Sequence, residues 1–205
     1  MCLATVGPPG PPFSRVWPDP SWHGSCVYMC SERNGFHSHI DGGMNMPIVL
    51  VRVDDRLIHG QVAVGWTRTV GANHIVVAND EVARDATQKS LLKLAAPVGV
   101  KVSILSVTEA AALLVGPKAA KDRVMVLVRD PQSLLALMDG GVELTKVNVG
   151  NVRAAEGRVR LTKEVAASPE EIEAWKELDR RGVILEAVWL PGGAVTDFNS
   201  VIRQQ

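Results

Sequence analysis

Apolar, β-branched runs alternate with segments of helical period from residue 48 to the C-terminus, and this alternation strongly constrains the fold. The strand-like runs are "IVLVRV" (48–53), "HIVVAN" (74–79), "VKVSIL" (100–105), "DRVMVLV" (122–128), "ELTKVNVGN" (143–151) and "VILEAVWL" (183–190). Strands of a parallel sheet are buried on both faces, so they read as continuous apolar runs joined by helical crossovers. The sequence therefore predicts an α/β fold with an open, mainly parallel sheet and helices on both faces.

The connecting segments carry helix and turn signals. One helix is expected from near Gln61, and a long amphipathic helix is expected with Asp80 as its N-cap and Pro97 as its stop. Further helices are predicted in "VTEAAALLV", in "QSLLALMDGG" after Asp130 and Pro131, and from Ser168 to Gly182. A short hairpin is expected near residues 150–162, around Gly157. Three tryptophans fall on apolar faces and are predicted to be core residues: Trp66, Trp175 and Trp189.

Residues 1–43 differ in kind from the rest of the chain. They contain Pro-Pro and Gly-Pro steps and show no helix or strand period, so the folded unit is expected to start at Met44 or Met46 and to span 46–205. Two interpretations remain open for the upstream segment: a disordered extension, or a mis-assigned translation start. The segment also holds four metal-ligand types whose spacing departs from structural zinc patterns: Cys26, Cys30, His37 and His39.

Composition limits the class of protein. The chain has 205 residues with 22 basic and 22 acidic side chains, so it fits one domain and has no overall field to attract nucleic acid. No apolar run approaches the roughly 20 residues that span a bilayer, and the opening lacks the pattern of a signal peptide. All three cysteines lie within the first thirty residues, so the domain folds without a disulfide. These features predict a soluble, cytoplasmic protein.

The loop "DDRLIHG" after the first strand has residue types that suit a phosphoryl group. Arg56 offers a bidentate guanidinium, and a helix beginning near Gly60 or Gln61 presents unpaired backbone N–H groups to an anion. His59 is a nucleophile that can carry the phosphoryl group covalently. The preceding acids, Asp54 and Asp55, would orient the imidazole or hold Arg56, with at least one of them turned away from the phosphate. The alternative is a solvated turn histidine beside an Asp-Arg pair that caps the next helix.

Other polar residues fit structural roles. Asp80 stands at a strand end but is expected to cap a helix rather than act as a catalytic acid. His74 precedes an apolar strand and is expected to be structural. Asn148 and Asn151, around Gly150, would line the site from a neighbouring strand end or simply turn the chain into the hairpin.

Three stretches resemble one known family, and the resemblance extends from about Met46 to the C-terminus. "IVLVRVDDRLIHGQVAVGW", "TKVNVGNVR" and "RVRLTKEVAAS" are similar to the IIB component of the mannose/fructose/sorbose family of the bacterial phosphoenolpyruvate-dependent sugar phosphotransferase system (PTS). The resemblance implies a mainly parallel sheet, phosphorylation of His59, phosphoryl binding by Arg56, and a place for Asp54 and Asp55 in the active-site loop.

The resemblance also implies an activity and partners. The activity is that of a protein-N(pi)-phosphohistidine–sugar phosphotransferase, which accepts the phosphoryl group from a IIA phosphohistidine and passes it to a sugar held by membrane IIC and IID permease subunits. This chemistry needs no metal or cofactor, and the sequence has neither a Gly-x4-Gly-Lys-Ser/Thr loop nor a dinucleotide fingerprint. An alternative function is a regulatory phosphohistidine switch without sugar turnover. A third interpretation is an α/β domain without phosphate chemistry. The sugar, and whether the protein is a homo-oligomer, stay open.

Overall fold

The computed structural model describes residues 47–116 and 122–205. Several expectations lie outside these residues. They are the extension or mis-assigned start at 1–43, the domain start at Met44 or Met46, and the metal-ligand types Cys26, Cys30, His37 and His39.

A seven-stranded sheet forms the centre of the described structure. Its strands are β1 Ile48–Val53, β2 His74–Ala78, β3 Lys101–Leu105, β4 Val124–Val128, β5 Lys146–Val149, β8 Ile184–Ala187 and β9 Thr196–Asp197. Their order in the sheet is β3-β2-β4-β1-β5-β8-β9. All neighbouring pairs in it are parallel except β8 with β9. The helices are α1 Gly60–Val70, α2 Asp80–Arg84, α3 Ala86–Leu94, α4 Val107–Val115, α5 Pro131–Asp139, α6 Pro169–Arg180 and α7 Phe198–Ile202. The predicted α/β fold is confirmed.

A second, two-stranded antiparallel sheet pairs β6 Val159–Arg160 with β7 Ala166–Ala167. The predicted hairpin is present, but it spans 159–167 rather than 150–162. A parallel bridge between Val152 and Val165 joins this hairpin to the segment that follows β5. The chain that leaves β5 therefore passes Val152, which this bridge pairs with Val165, before it reaches β6.

The helices lie on both faces of the sheet, as predicted, because alternate strand residues feed two separate cores. One core packs α4 to α7 against the face that carries Val76, Val126 and Val149. The other packs α1 and α2 against the face that carries Val77 and Leu127. Trp66 (8% exposed) and Trp175 (1%) are core residues as expected, but Trp189 is 46% exposed. The prediction for Trp189 is wrong because β8 ends at Ala187, so Trp189 lies in the loop before β9.

Helix caps explain most of the boundaries, with one correction. Ser168 forms a capping box with Glu171 at the start of α6. The side chain that caps α2 is Asn79, not Asp80, since the Asn79 oxygen accepts from Val82 N. Asp80 instead accepts a hydrogen bond from Val107 N at the start of α4, at 2.9 Å. The long helix expected after Asp80 is interrupted at Asp85, which caps a new helix by accepting from the first-turn amides of α3.

The strand order changes direction between β1 and β4. From β1 the chain passes beyond β4 to reach β2, whereas from β4 it passes beyond β1 to reach β5. The loops that leave the carboxyl ends of β1 and β4 therefore diverge to opposite sides of the sheet, and such a switch in strand order opens a crevice where ligands bind. The loop "DDRLIHG" leaves β1 at this position.

Candidate active site

Two buried apolar side chains hold the loop between β1 and α1 in place. Leu57 and Ile58 are each 2% exposed and belong to the core beneath α1. Leu57 has a φ of +57°, a left-handed conformation that costs a non-glycine residue about 1–2 kcal/mol, and its N–H donates to Asp54 O at 3.0 Å. This tight turn delivers His59 to the position directly before α1.

Asp54 organises the polar side of the loop. It is fully buried, and Oδ2 accepts from Nη2 of Arg52 at 3.0 Å. Its other oxygen accepts from the backbone N–H of Arg56 at 3.2 Å and lies 3.5 Å from Arg56 Nε. The same oxygen lies 3.9 Å from Nδ1 of His59. One carboxylate thus connects three cationic or potentially cationic groups.

Arg52 is part of the site, and sequence reasoning missed it. It is fully buried, and its Nη1 donates to Asn148 Oδ1. The same nitrogen donates to Val188 O at 2.9 Å. Its guanidinium carbon lies 5.3 Å from the centre of the Trp66 ring. Burial lowers the pKa of Arg52 below its ordinary value, and Asp54 opposes this shift. The available sequence signal was a lone charge inside the strand "IVLVRV", which is otherwise apolar.

Asp55 points to a different partner. Its carboxylate accepts from Nε of Arg153 at 2.6 Å and from Nδ2 of Asn151 at 3.3 Å, while its N–H donates to Asn151 O at 2.9 Å. The expectation that one of the two acids turns away fits this arrangement. Asn148 and Asn151 both contact residues of β1 or its loop, so the segment around Gly150 lines the site rather than only turning the chain.

His59 adopts an extended backbone before α1 (φ −151°, ψ 132°), and no side chain caps the helix within the described residues. Nδ1 lies 3.0 Å from Leu57 O, a distance at which it donates to that carbonyl. The other nitrogen, Nε2, is buried and has no hydrogen-bond partner in the described part of the chain. The ring is 21% exposed, so its edge reaches the surface.

The positive groups around His59 make the loop suitable for an anion. The Arg56 side chain is 36% exposed, and its Nε has no hydrogen-bond partner within residues 47–116 and 122–205. Gly60 is exposed, and its φ of +35° begins α1, whose uncapped first turn presents backbone N–H groups. Gln61 contributes its backbone to this first turn, but its side chain lies outside the described atoms.

His74 lies at the start of β2, so it is at the amino-terminal end of the parallel strands, whereas the loop leaves the carboxyl end. It is fully buried, with Nδ1 3.1 Å from Asp122 Oδ2 and Nε2 2.9 Å from Ser103 Oγ. Both ring nitrogens are engaged inside the fold, as a structural role requires.

The fold and the loop together define a class: an α/β domain that presents a histidine and an arginine at the strand-order switch of a parallel sheet. A family model described as the PTS system sorbose subfamily IIB component matches residues 48–205. The chain belongs to this family of PTS IIB components, as the sequence motifs indicated.

Curated relatives and solved structures agree with this assignment. The mannose-specific EIIAB component of Escherichia coli K12 is 42% identical over 141 residues, which is 69% of this chain and 44% of that protein. The fructose-specific EIIB component of Bacillus subtilis is 37% identical over 158 residues, covering 77% of this chain and 97% of that one. The crystal structure of the IIBSor domain of the sorbose permease from Klebsiella pneumoniae gives a TM-score of 0.75 at 34% identity, covering 78% of this chain and 98% of that chain.

The chain thus spans under half the length of the fused EIIAB relative and nearly all of the single EIIB relative. Among the described residues, no helix is both long and apolar enough to cross a bilayer.

Proposed function

We propose that the protein is a phosphoryl carrier and sugar phosphotransferase component, which accepts a phosphoryl group on His59 from a IIA phosphohistidine and passes it to a sugar during uptake. The observation that carries this proposal is the position of His59, at the uncapped start of α1 and in the same loop as the partly exposed Arg56. Family membership supports the reaction class.

The transfer would proceed by attack of an imidazole nitrogen of His59 on the phosphorus atom of the donor. The new N–P bond forms as the N–P bond to the donor histidine breaks, and the donor imidazole leaves with the electron pair. In the described conformation Nδ1, the N(pi) position, donates to Leu57 O and Nε2 is buried. The ring must therefore turn when the donor docks, so that a nitrogen lone pair faces the phosphorus.

The residues around His59 take distinct roles in this proposal. Arg56 would bind two phosphoryl oxygens through its fork, and the amides of Gly60 and Gln61 would add the positive end of the α1 dipole. Asp54 would hold Arg56 and the imidazole in position from inside the protein. Asp55 would shape the loop through Arg153 without facing the phosphate, since a second free carboxylate would repel it.

The physiological setting is part of the proposal. The donor would be a IIA domain or protein, and the acceptor would be a sugar held by membrane IIC and IID subunits, with the protein in the cytoplasm and peripheral to the inner membrane. We infer that residues 46–205 form the IIB domain by themselves. The relatives' names differ in their sugars, mannose, sorbose and fructose among them, so the proposal leaves the sugar unnamed.

The acceptor role is tested by labelling with a phosphorylated IIA domain and measuring the intact mass. Wild type should gain one phosphoryl group, and His59→Ala should gain none. His74→Ala is the control, because His74 is a buried histidine at the opposite end of the sheet and should not change labelling. Labelling of the His59→Ala protein would refute the assignment.

A further inference from the structure

Arg129 is the first residue after β4, and the topology places it beside the loop that carries His59. The N–H of Asp54, directly after β1, donates to Val128 O at 2.9 Å, so the chain leaves both strands at the same level. These two strands flank the switch in strand order, where one loop departs to each side. Arg129 and the His59 loop therefore border the same crevice.

Side chains alternate between the two faces of the sheet along β4, and this alternation places Arg129 on the face that also holds the His59 loop. Met125 and Leu127 belong to the core beneath α1, together with Leu57 and Ile58, and residue 129 continues this alternation. The side-chain contacts agree, because Arg129 approaches Glu81 of α2 and Gln88 of α3, on the same face.

These two contacts are too weak to explain why position 129 carries an arginine. Nη1 lies 3.5 Å from Glu81 Oε2, and Nη2 lies 3.5 Å from Gln88 Oε1, both at the outer limit of a hydrogen bond. The Glu81 side chain is 83% exposed, and an ion pair so open to water stabilises little. Nε is buried and has no partner among the described residues. The guanidinium thus has no strong partner among the described residues, and its two terminal nitrogens keep donors available to a ligand.

We infer that Arg129 is a second phosphoryl ligand, which binds the group on His59 from the β4 side while Arg56 binds it from the β1 side. The inference rests on the proposed function and names a residue that it did not include. The charge of a phosphoryl group in transfer is spread over three equatorial oxygens, so two arginines on opposite sides stabilise it better than one.

The nearby acids leave Arg129 free for this role. Asp54 is held by Arg52, and Asp80 accepts from Val107 N. Asp130 caps α5 by accepting from Ser133 N at 2.8 Å. Only Glu81 competes for the Arg129 guanidinium among the carboxylates of the described residues, and its contact is long. Binding of a phosphoryl group would replace a weak surface pair with a charge-assisted bond.

The test is single-turnover transfer from the phosphorylated IIA portion of the E. coli EIIAB relative to this protein, by rapid quench. Arg129→Gln should lower the rate constant at saturating donor by roughly ten- to hundredfold and leave the half-saturating donor concentration unchanged. The rate constant of Arg129→Lys should lie between those of wild type and Arg129→Gln, since lysine keeps the charge but loses the planar fork. The phosphorus NMR shift of phospho-His59 should also move in Arg129→Gln.

Two control variants separate this role from a structural one. Glu81→Gln removes the ion pair but not the arginine, so it should transfer at the wild-type rate or faster. Arg68→Gln removes an exposed arginine in the last turn of α1, near the amino-terminal end of the strands. This variant should transfer the phosphoryl group at the wild-type rate. Urea unfolding of each variant checks that the fold is kept, and Arg129→Lys serves if the glutamine variant does not fold.

A wild-type rate in the Arg129 variants, or an equal loss in Glu81→Gln, would overturn the inference. A wild-type protein that takes no label on His59 would instead contradict the proposed function, so the two failures are distinguishable.

Discussion

Gly150→Ala tests whether the buried Arg52 holds the site together. Gly150 follows β5, and its φ is not in the left-handed region, so alanine brings no backbone strain there. A Cβ at this position would lie 2.8 Å from Nε of Arg52 and closer still to Cζ and Nη2, where real Cβ atoms are not found. The guanidinium would have to move by about 1 Å to regain ordinary van der Waals contact.

The magnitude follows from the bonds that such a shift breaks. Arg52 donates to Asp54 at 3.0 Å and to Trp189 O at 3.2 Å through Nη2, the guanidinium nitrogen nearest to the added methyl group. Each lost bond to a charged group costs about 1.5–3 kcal/mol, so losing both would lower the free energy of unfolding by about 3–6 kcal/mol. Phosphoryl transfer should also slow, because Asp54 loses the partner that fixes its position.

Urea unfolding of Gly150→Ala and wild type measures the difference directly. Gly65→Ala is the matched control: Gly65 lies inside α1, and a Cβ there would meet Pro191 at an ordinary 3.6 Å. That variant should gain up to about 1 kcal/mol from helix propensity. A Gly150→Ala protein within about 0.5 kcal/mol of wild type would refute the account of Arg52, since surface-like substitutions cost that little.

Three further predictions address the site, a buried histidine and the domain boundary. Arg56→Lys should transfer phosphate roughly ten- to hundredfold more slowly at an unchanged melting temperature, because lysine lacks the planar fork; a wild-type rate in single-turnover transfer would leave the loop amides as the main ligands. Burial, assisted by Lys101, lowers the pKa of His74, so the unfolded chain binds a proton at higher pH than the folded one. The free energy of unfolding should therefore fall as pH drops below about 6.5 and level off below the lowered pKa. In urea unfolding at a series of pH values, His74→Asn should remove most of this pH dependence, and an unchanged dependence would contradict the account. A chain that starts at Met46 should keep the thermal midpoint of the full chain, and a drop of several degrees on scanning calorimetry would show that residues 1–43 pack on the domain.

Local patterns predicted the strands well but predicted contacts between distant segments poorly. The runs that form β1, β2 and β4 are short, rich in β-branched residues and apolar apart from Arg52 and His74, a composition that favours buried strands. Asp80 and Asn79 show the limit of cap prediction, because both are good N-caps and only the backbone geometry selects Asn79. The sequence also did not indicate that Asp80 accepts a hydrogen bond from Val107 N, 27 positions further along the chain.

The candidate site residues proposed from the sequence all lie within one loop. His59, Arg56, Asp54 and Asp55 fall within six consecutive positions, so a single motif contains them. Arg52 meets Asn148 across 96 positions, and the contact depends on β5 pairing beside β1. Trp189 was misplaced for a related reason, since an apolar run does not reveal where strand pairing stops. Residues that act through sheet neighbours therefore needed the structure.

A pulse-chase experiment tests the central claim, that His59 carries the phosphoryl group between a IIA donor and a sugar. The protein is labelled with phosphorylated IIA, separated from the donor, and mixed with membrane vesicles that contain IIC and IID subunits and a panel of sugars. Peptide mass mapping follows the label on His59, and product analysis follows sugar phosphate. The account predicts that label leaves His59 as an equal amount of sugar phosphate appears. Label that stays on His59 with every sugar would contradict the carrier role and favour a regulatory switch.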